Sequence, residues 1–370
     1  MKNLTLLICA FLSLGPCIHV TPAQIKADDE LFPVEYKKNY VFFNKSGKVI
    51  IETKGNFAQP FSDGLARVQF GFGHNGFIDT TGKLVIPPRF YDAGNFSDGL
   101  AAASTEGIEV KDGRLIGHYG LIDKTGSWVI EPRYSHIEEF SEGLALVRDS
   151  FGKNGFLDRT GKIVIPIEFE FAESFSEGLA LVRLNDKYGF IDKTGNWVIK
   201  PTLGFTTSFS EGLASVSIGE NWEYIDKPGQ IVIGPQRFKF AGRFSEGLAR
   251  VSVDDAGTEK WGYKWGYIDR TGKIVIPTKY KYERDFSEGL AAVGTFDRLS
   301  LFSKGTFGKM GYLDHTGSFV IKPQFAEALD FHNGLGRVMT GNLFQILYVY
   351  VDKKGKVIWK SAMCLSCPWP

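Results

Sequence analysis

Sulfur is scarce in this sequence, which has four cysteines and four methionines in 370 residues. Cys9 and Cys17 fall in the apolar N-terminus, so only Cys364 and Cys367 are left, spaced C-x-x-C near the end. A zinc or redox site would need a second ligand pair or a helix start beside that motif, and the sequence offers neither. The pair could close a local disulfide in an oxidising compartment. Single-sign charge is also missing. The 43 basic and 42 acidic residues nearly cancel and form no block, which removes the basic footprint of a nucleic-acid binder. The six histidines, His19, His74, His118, His136, His315 and His332, never take H-x-x-x-H or H-E-x-x-H spacing. Nothing in the pattern points to a cofactor or a metal.

Long apolar runs are absent with one exception. Leu4 to Leu14 is apolar, follows Lys2, and is succeeded by small and polar residues. That is the layout of a secretory signal peptide, and the run is too short for a permanent membrane span. Thr21 and Ala23 supply small residues for cleavage before Gln24, making 1–23 the expected leader. Lipoprotein processing at Cys17 is the alternative, with Pro16 a poor neighbour for it. The expected location is outside the cytoplasm: periplasm, cell surface or extracellular space.

Glycine and phenylalanine are plentiful, at 43 and 31 residues, as suits short strands joined by glycine-dependent turns. They are arranged periodically. An FS[DE]GLA motif starts at Phe61, Phe96, Phe140, Phe175, Phe209, Phe244 and Phe286, with a degraded copy, FHNGLGRV, at Phe331. The steps are 35, 44, 35, 34, 35, 42 and 45 residues. After each comes a second motif, such as GFIDKTGNWVIKP, and an extra copy of it, VFFNKSGKVI, opens the array at Val41. The expected organisation is a linker over 24–39, a half unit over 40–60, full units to residue 360, and a tail over 361–370.

Each unit reads as three strands, for example Leu179 to Arg183, Tyr188 to Asp192 and Asn196 to Lys200. Asp-x-Thr-Gly between the second and third reads as a type I turn with a G1 bulge. Its aspartate side chain caps the turn and its glycine takes positive φ. The pairs are Asp79–Gly82, Asp123–Gly126, Asp158–Gly161, Asp192–Gly195, Asp226–Gly229, Asp269–Gly272 and Asp314–Gly317. Gly178 in Ser-Glu-Gly is assigned the same bulge role, with its glutamate facing solvent. Runs such as Ile163-Val164-Ile165 imply sheets covered on both faces. One unit buries too little apolar surface to offset the ordering of its own backbone, so units must stack.

Together the two motifs resemble the WG-repeat (KWG-repeat) family of bacterial proteins over roughly residues 40–360. The name-giving pair stands at Trp265-Gly266 and again at Trp261-Gly262. Elsewhere the tryptophan is replaced, as in Asn75-Gly76, Tyr119-Gly120, Asn154-Gly155, Tyr188-Gly189 and Met310-Gly311, and Trp222-Glu223 loses the glycine. The resemblance implies an all-β repeat scaffold that mediates interactions, with no defined chemistry. Two architectures fit. Array ends that duplicate one motif, and three strands per unit, favour an open curved array; a closed β-propeller is the alternative.

Chemical readings of the motifs are weak. Aspartic proteases have no residue between Asp and Thr, and two of their loops must face each other. Lys83, Lys162 and Lys273 are followed by Leu or Ile, not by the Ser or Thr of a phosphate loop. Trp128 and Trp197 occupy positions filled elsewhere by aliphatics, which reads as core. Insertions at 102–118, 252–264 and 294–309 lie outside the stacking logic. Two of them carry aromatics: Trp261, Tyr263 and Trp265, and Phe296, Phe302 and Phe307. These six form the expected binding surface, on adjacent units. The expected function is a non-catalytic scaffold for a protein or envelope component, with glycan binding as the alternative.

Overall fold

The computed structural model describes residues 19–20, 30–36, 39–107, 109–111, 114–116, 118–253, 264–294, 309–342 and 345–360. These residues form strands and turns only. Nine small antiparallel sheets succeed one another along the chain, with an extra hairpin, Glu109–Lys111 against Arg114–Ile116, carried by the third. Together they make a nine-bladed β-propeller. The fifth blade shows the plan: an inner strand Phe171–Ala172, a second Leu179–Leu184, a third Lys187–Asp192 and an outer Trp197–Leu203. Seven units are therefore four-stranded with an added inner strand, where the sequence suggested three; the sixth keeps three strands. The additional strand is two residues long in five blades, too short for any period to show.

The short strand lies toward the axis. Arg243, within the inner strand Phe240–Ser245 of blade 7, reaches Glu173, just after the inner strand of blade 5, at 2.6 Å. A contact that skips a blade is possible only where blades converge. The outer strands face solvent, with alternating burial. Val164 is 37% exposed while Ile165 is buried, so the Ile163-Val164-Ile165 run is covered on one side, contrary to the expectation from its apolarity. The second strands are the doubly covered ones, as in Leu144 to Val147, all buried.

Stacking follows from the first motif. The phenylalanine of the FS[DE]G motif sits on the third-strand aromatic of the preceding blade, as in Phe96 on Phe77 at 4.9 Å, Phe175 on Phe156 at 4.8 Å and Phe209 on Phe190 at 4.6 Å, and Phe140 packs with Leu121 in the same place. Each apolar cluster is consequently shared by two neighbouring blades. One of them closes the ring. Phe32, Val34, Val41 and Phe43 of blade 1 pack with Leu335, Tyr350 and Trp359 of blade 9, and Phe43 stacks on Trp359 at 4.9 Å.

Closure overturns the preference for an open array. The deciding element is Leu31–Tyr36, inside the stretch taken for a linker, which pairs in register with Asn39–Asn44. It supplies the second strand of blade 1, so the chain ends meet as two separate blades. A two-residue strand, His19–Val20, adds to the far edge of that sheet beside Ile51 and Glu52; it falls within the expected leader.

Candidate functional site

Because the four strands of a blade run in sequence and antiparallel, its loops divide between two faces. The turns from inner to second strand (FS[DE]G) and from third to outer strand (Asp-x-Thr-Gly) emerge on one. The loops from second to third strand, and the connectors to the next blade, emerge on the other.

The turn face is occupied by its own contacts. In Ser176-Glu177-Gly178-Leu179, Glu177 and Gly178 both have positive φ, 54° and 85°. Ser176 and Leu179 form the closing bridge, so this is a two-residue type I′ turn and not the G1 bulge expected for Gly178. Ser176 Oγ donates to the carbonyl of Phe209 in the next blade (2.9 Å). The acidic residue does more than face solvent. Glu142 accepts the Gly178 N–H at 3.0 Å and pairs with Lys193 Nζ at 3.0 Å, both from blade 5. The same ion pair recurs as Asp63–Lys124, Asp98–Arg159, Glu177–Lys227, Glu211–Arg270 and Glu288–Lys353, and in the same place Glu246 meets His315 Nε2 at 3.1 Å. These rungs use the cation after each turn aspartate.

The aspartates themselves are caps. Asp192 Oδ1 accepts from the Thr194 N–H (2.9 Å), the Thr194 hydroxyl (2.6 Å) and the Asn196 N–H (2.9 Å), and Gly195 takes φ 86°. These bonds favour the ionised form and hold the Asp192 carboxyl below its ordinary range, first through Thr194. Asp79, Asp123, Asp158, Asp269 and Asp314 bind in the same way, and their glycines, Gly82, Gly126, Gly161, Gly272 and Gly317, also have positive φ. In blade 6, where Pro228 replaces the residue that donates elsewhere, Asp226 Oδ1 caps the Gln230 N–H at 2.7 Å, with Gly229 at φ 88°.

The loop face differs. The exposed aromatics of the described residues lie on it, apart from Phe319 of an outer strand. They are Phe72 (82% exposed), Phe205 (68%), Phe151 (67%), Phe240 (39%) and Tyr91 (37%). The strand ends that bracket the later insertions, Val253 with Lys264 and Gly294 with Met310, lie on this face too. Between blades 2 and 3 this face holds a cleft of about 350 Å³ lined by Gln69, Phe72, Gly73, Tyr91, Asp92, Glu106 and Tyr119. Asp92 pairs with Arg67 at 2.9 Å and accepts the Tyr119 hydroxyl at 2.6 Å. Burial and that bond to a carboxylate push the Tyr119 hydroxyl well above its usual range, so it stays a donor.

Of the six aromatics expected to form the binding surface, Trp261, Tyr263, Phe296, Phe302 and Phe307 lie outside the described residues. Trp265 is half-buried, stacked on Phe240 at 6.1 Å under the Arg250 guanidinium at 5.9 Å. Trp128 and Trp197 are also half-buried, edge-on to Phe90 and Phe169 of the preceding blades. Cys364 and Cys367 lie outside the described residues. Sequence reasoning missed Phe72, Phe151 and Phe205. The available signal was an aromatic beside glycine, off the strand pattern, in GFGHN, DSFGKN and LGFTT. Among the described residues, no group of three or more His, Cys, Asp or Glu side chains could hold a metal ion. Nor, among them, is any helix long and apolar enough to cross a membrane.

The WG containing repeat model matches eight times, over 42–71, 76–107, 119–149, 155–188, 188–222, 224–261, 265–294 and 310–344. The chain belongs to the WG-repeat family. The glycine of the WG pair has a steric meaning in this member. A Cβ on Gly189 would lie 2.6 Å from the Ile199 carbonyl oxygen of the outer strand. No curated protein matches the chain. Among solved structures, this WG-repeat protein resembles a eukaryotic initiation factor at a TM-score of 0.62 and 11% identity, over 91% of this chain and 96% of that one. At that identity the likeness is of fold alone. BamB from Moraxella catarrhalis (TM-score 0.37, 11% identity, 92% and 98% covered) and TolB from Acinetobacter baumannii (0.32, 14%, 72% and 77%) are more distant.

Proposed function

We propose that this WG-repeat propeller is an exported, non-catalytic scaffold that binds a protein component of the cell envelope through its loop face. One observation carries the reading: the asymmetry between the faces. The repeated polar residues are committed to turn caps and to blade-to-blade contacts on the turn face. Exposed aromatics gather on the opposite face, where the insertions also start and end, and large aromatics presented on a rigid frame dominate binding hot spots. Export rests on the charge and apolar pattern of residues 1–23.

The test compares variants of the two faces, in full-length protein cross-linked in its native envelope. Phe151→Ser with Phe205→Ser is expected to lose the cross-linked partner at unchanged melting temperature. Lys193→Ser with Lys227→Ser, on the turn face, is expected to keep it. The opposite pattern overturns the reading, and cytoplasmic retention of the whole chain overturns export.

A further inference from the structure

We propose that the cleft between blades 2 and 3 takes a guanidinium group, presented as an arginine side chain by a protein partner. The proposal deepens the loop-face reading and rests on it. Its first support is the cleft wall. Phe72 and Tyr91 meet edge to face at 5.6 Å and 88°. Tyr91 is held between two glycines, since a Cβ would come within 3.2 Å of its ring at Gly73 and 3.3 Å at Gly107. The Tyr91 wall of the corner is therefore held in place before any ligand arrives, which lowers the ordering cost of binding.

The second support is charge. The ionisable groups with ordinary carboxylate or cationic character among the described lining residues are Asp92 and Glu106, both acidic. Arg67 stands behind Asp92 with its side chain only 16% exposed and committed to that carboxylate. Glu106 is 69% exposed, with His118 Nε2 at 3.9 Å. Carboxylates beside aromatic faces complement a cation with several donors.

The third support comes from a sister blade. In blade 5 the strand register sets Arg183 opposite Tyr188, as it sets Ser104 opposite Tyr119 in blade 3. The Arg183 guanidinium lies 5.9 Å from the Tyr188 ring centroid, and its Nε lies 3.4 Å from Glu170. There the chain supplies its own guanidinium between a ring and a carboxylate on this same face. In blade 3 the equivalent residue is Ser104, whose hydroxyl is turned to the Glu106 carbonyl at 2.5 Å. It brings no cation to Tyr119, and the space stands open as the cleft. A sugar would call for one flat ring face, whereas Phe72 and Tyr91 stand perpendicular.

The probe is a tetra-arginine peptide titrated into the full chain by calorimetry, against the neutral isosteric tetra-citrulline peptide and a cello-oligosaccharide. The arginine peptide is expected to bind at least about tenfold tighter than the citrulline peptide, and more weakly as salt rises. Phe72→Ala and Glu106→Gln, both at exposed side chains, should each weaken it about fivefold or more without moving the melting temperature. Equal binding of the citrulline peptide, arginine binding unchanged in both variants, or binding of the oligosaccharide alone overturns the proposal. Any of these results leaves the loop-face reading to its own test at Phe151 and Phe205.

Discussion

Replacing Asp192 with Ala removes three accepted hydrogen bonds from one exposed turn, so the expected result is a lower melting temperature with partner binding retained. Loss of binding at unchanged melting would give this residue a role beyond the turn. Its titration carries a sign. The carboxyls of Asp123, Asp158, Asp192, Asp269 and Asp314 are all depressed by their threonine and backbone donors. Stability from a depressed carboxyl is complete above its unfolded value, about 4, and is lost as pH falls through the folded one. Acid melting should thus steepen below that value, and less so in Asp192→Ala. Glu283 runs the other way. It is 9% exposed on the inner strand of blade 8. Burial outweighs the attraction of Arg250, 3.2 Å away and shared with Asp285 at 2.9 Å, and pushes the Glu283 carboxyl up to about 7. Between its ordinary value and 7 the folded chain holds a proton that the unfolded chain has released, so its contribution falls as pH rises through that window. Glu283→Gln should flatten the decline, which denaturant melts at pH 5 and pH 8 would measure. An unchanged slope would mean that Arg250 keeps Glu283 ionised throughout.

Gly189 shows how one residue sets the form of a whole strand. Where the third strand carries glycine, the seven-residue outer strand closes against it through two register shifts, as in blade 5. Where Val41 and Val349 take that position, in blades 1 and 9, the outer strand has four residues and a single shift. Blade 6 moves the glycine across the pair: Glu223 faces Gly234, at which a Cβ would meet the Glu223 carboxylate at 2.6 Å. Gly189→Ala should therefore cost about 1–3 kcal/mol of overpacking, with part recovered by Lys200→Gly, the residue matching Gly234. Chemical denaturation of the single and double variants checks the coupling, and strict additivity would reject it. This pairing was not legible in advance: both residues lie within the second motif, but only the register of the folded hairpin sets them against each other. The strands themselves were legible from β-branched and aromatic runs between turn residues. Inner strands such as Phe171–Ala172 were not, since two residues carry no period. Ser-Glu-Gly was legible as a turn, but its left-handed glutamate and its bond to the next blade were not, because the partner lies some 35 residues away (Glu142 to Gly178, for instance).

Closure of the ring was hidden for a similar reason: LFPVEY at 31–36 carries neither motif, and only its pairing with 39–44 reveals a blade. Of the loop face proposed to bind, the sequence marked out the insertions, while its exposed phenylalanines were masked by the many buried ones. The same comparison of motifs shows where the ring is weakest. Seven junctions, from blade 2 to blade 9, carry an acidic–basic rung on the turn face. At the junction of blades 9 and 1 the acidic position is Asn333, and Lys45 turns instead to Glu30 at 3.3 Å. At the junction of blades 1 and 2 the cation position is Thr80. Blade 1 is held on both sides chiefly by apolar packing, around Phe43, Tyr350 and Trp359 on one side and Phe42 and Phe61 on the other. Single exposed rungs are worth roughly 0–1 kcal/mol each, but their absence falls on one blade, which among the described residues also lacks an inner strand, as blade 6 does. Local opening should begin there. Amides of 39–52 are expected to exchange with solvent before those of 179–203 at low salt. Raising the salt should narrow the difference, since it screens the rungs of blade 5 and not the apolar seam. Trp359→Ala, which removes the ring stacked on Phe43, should bring blade 1 exchange forward while leaving blade 5 nearly unchanged. Simultaneous exchange of both blades in the parent protein would show instead that the nine blades open as one unit, with no weak seam.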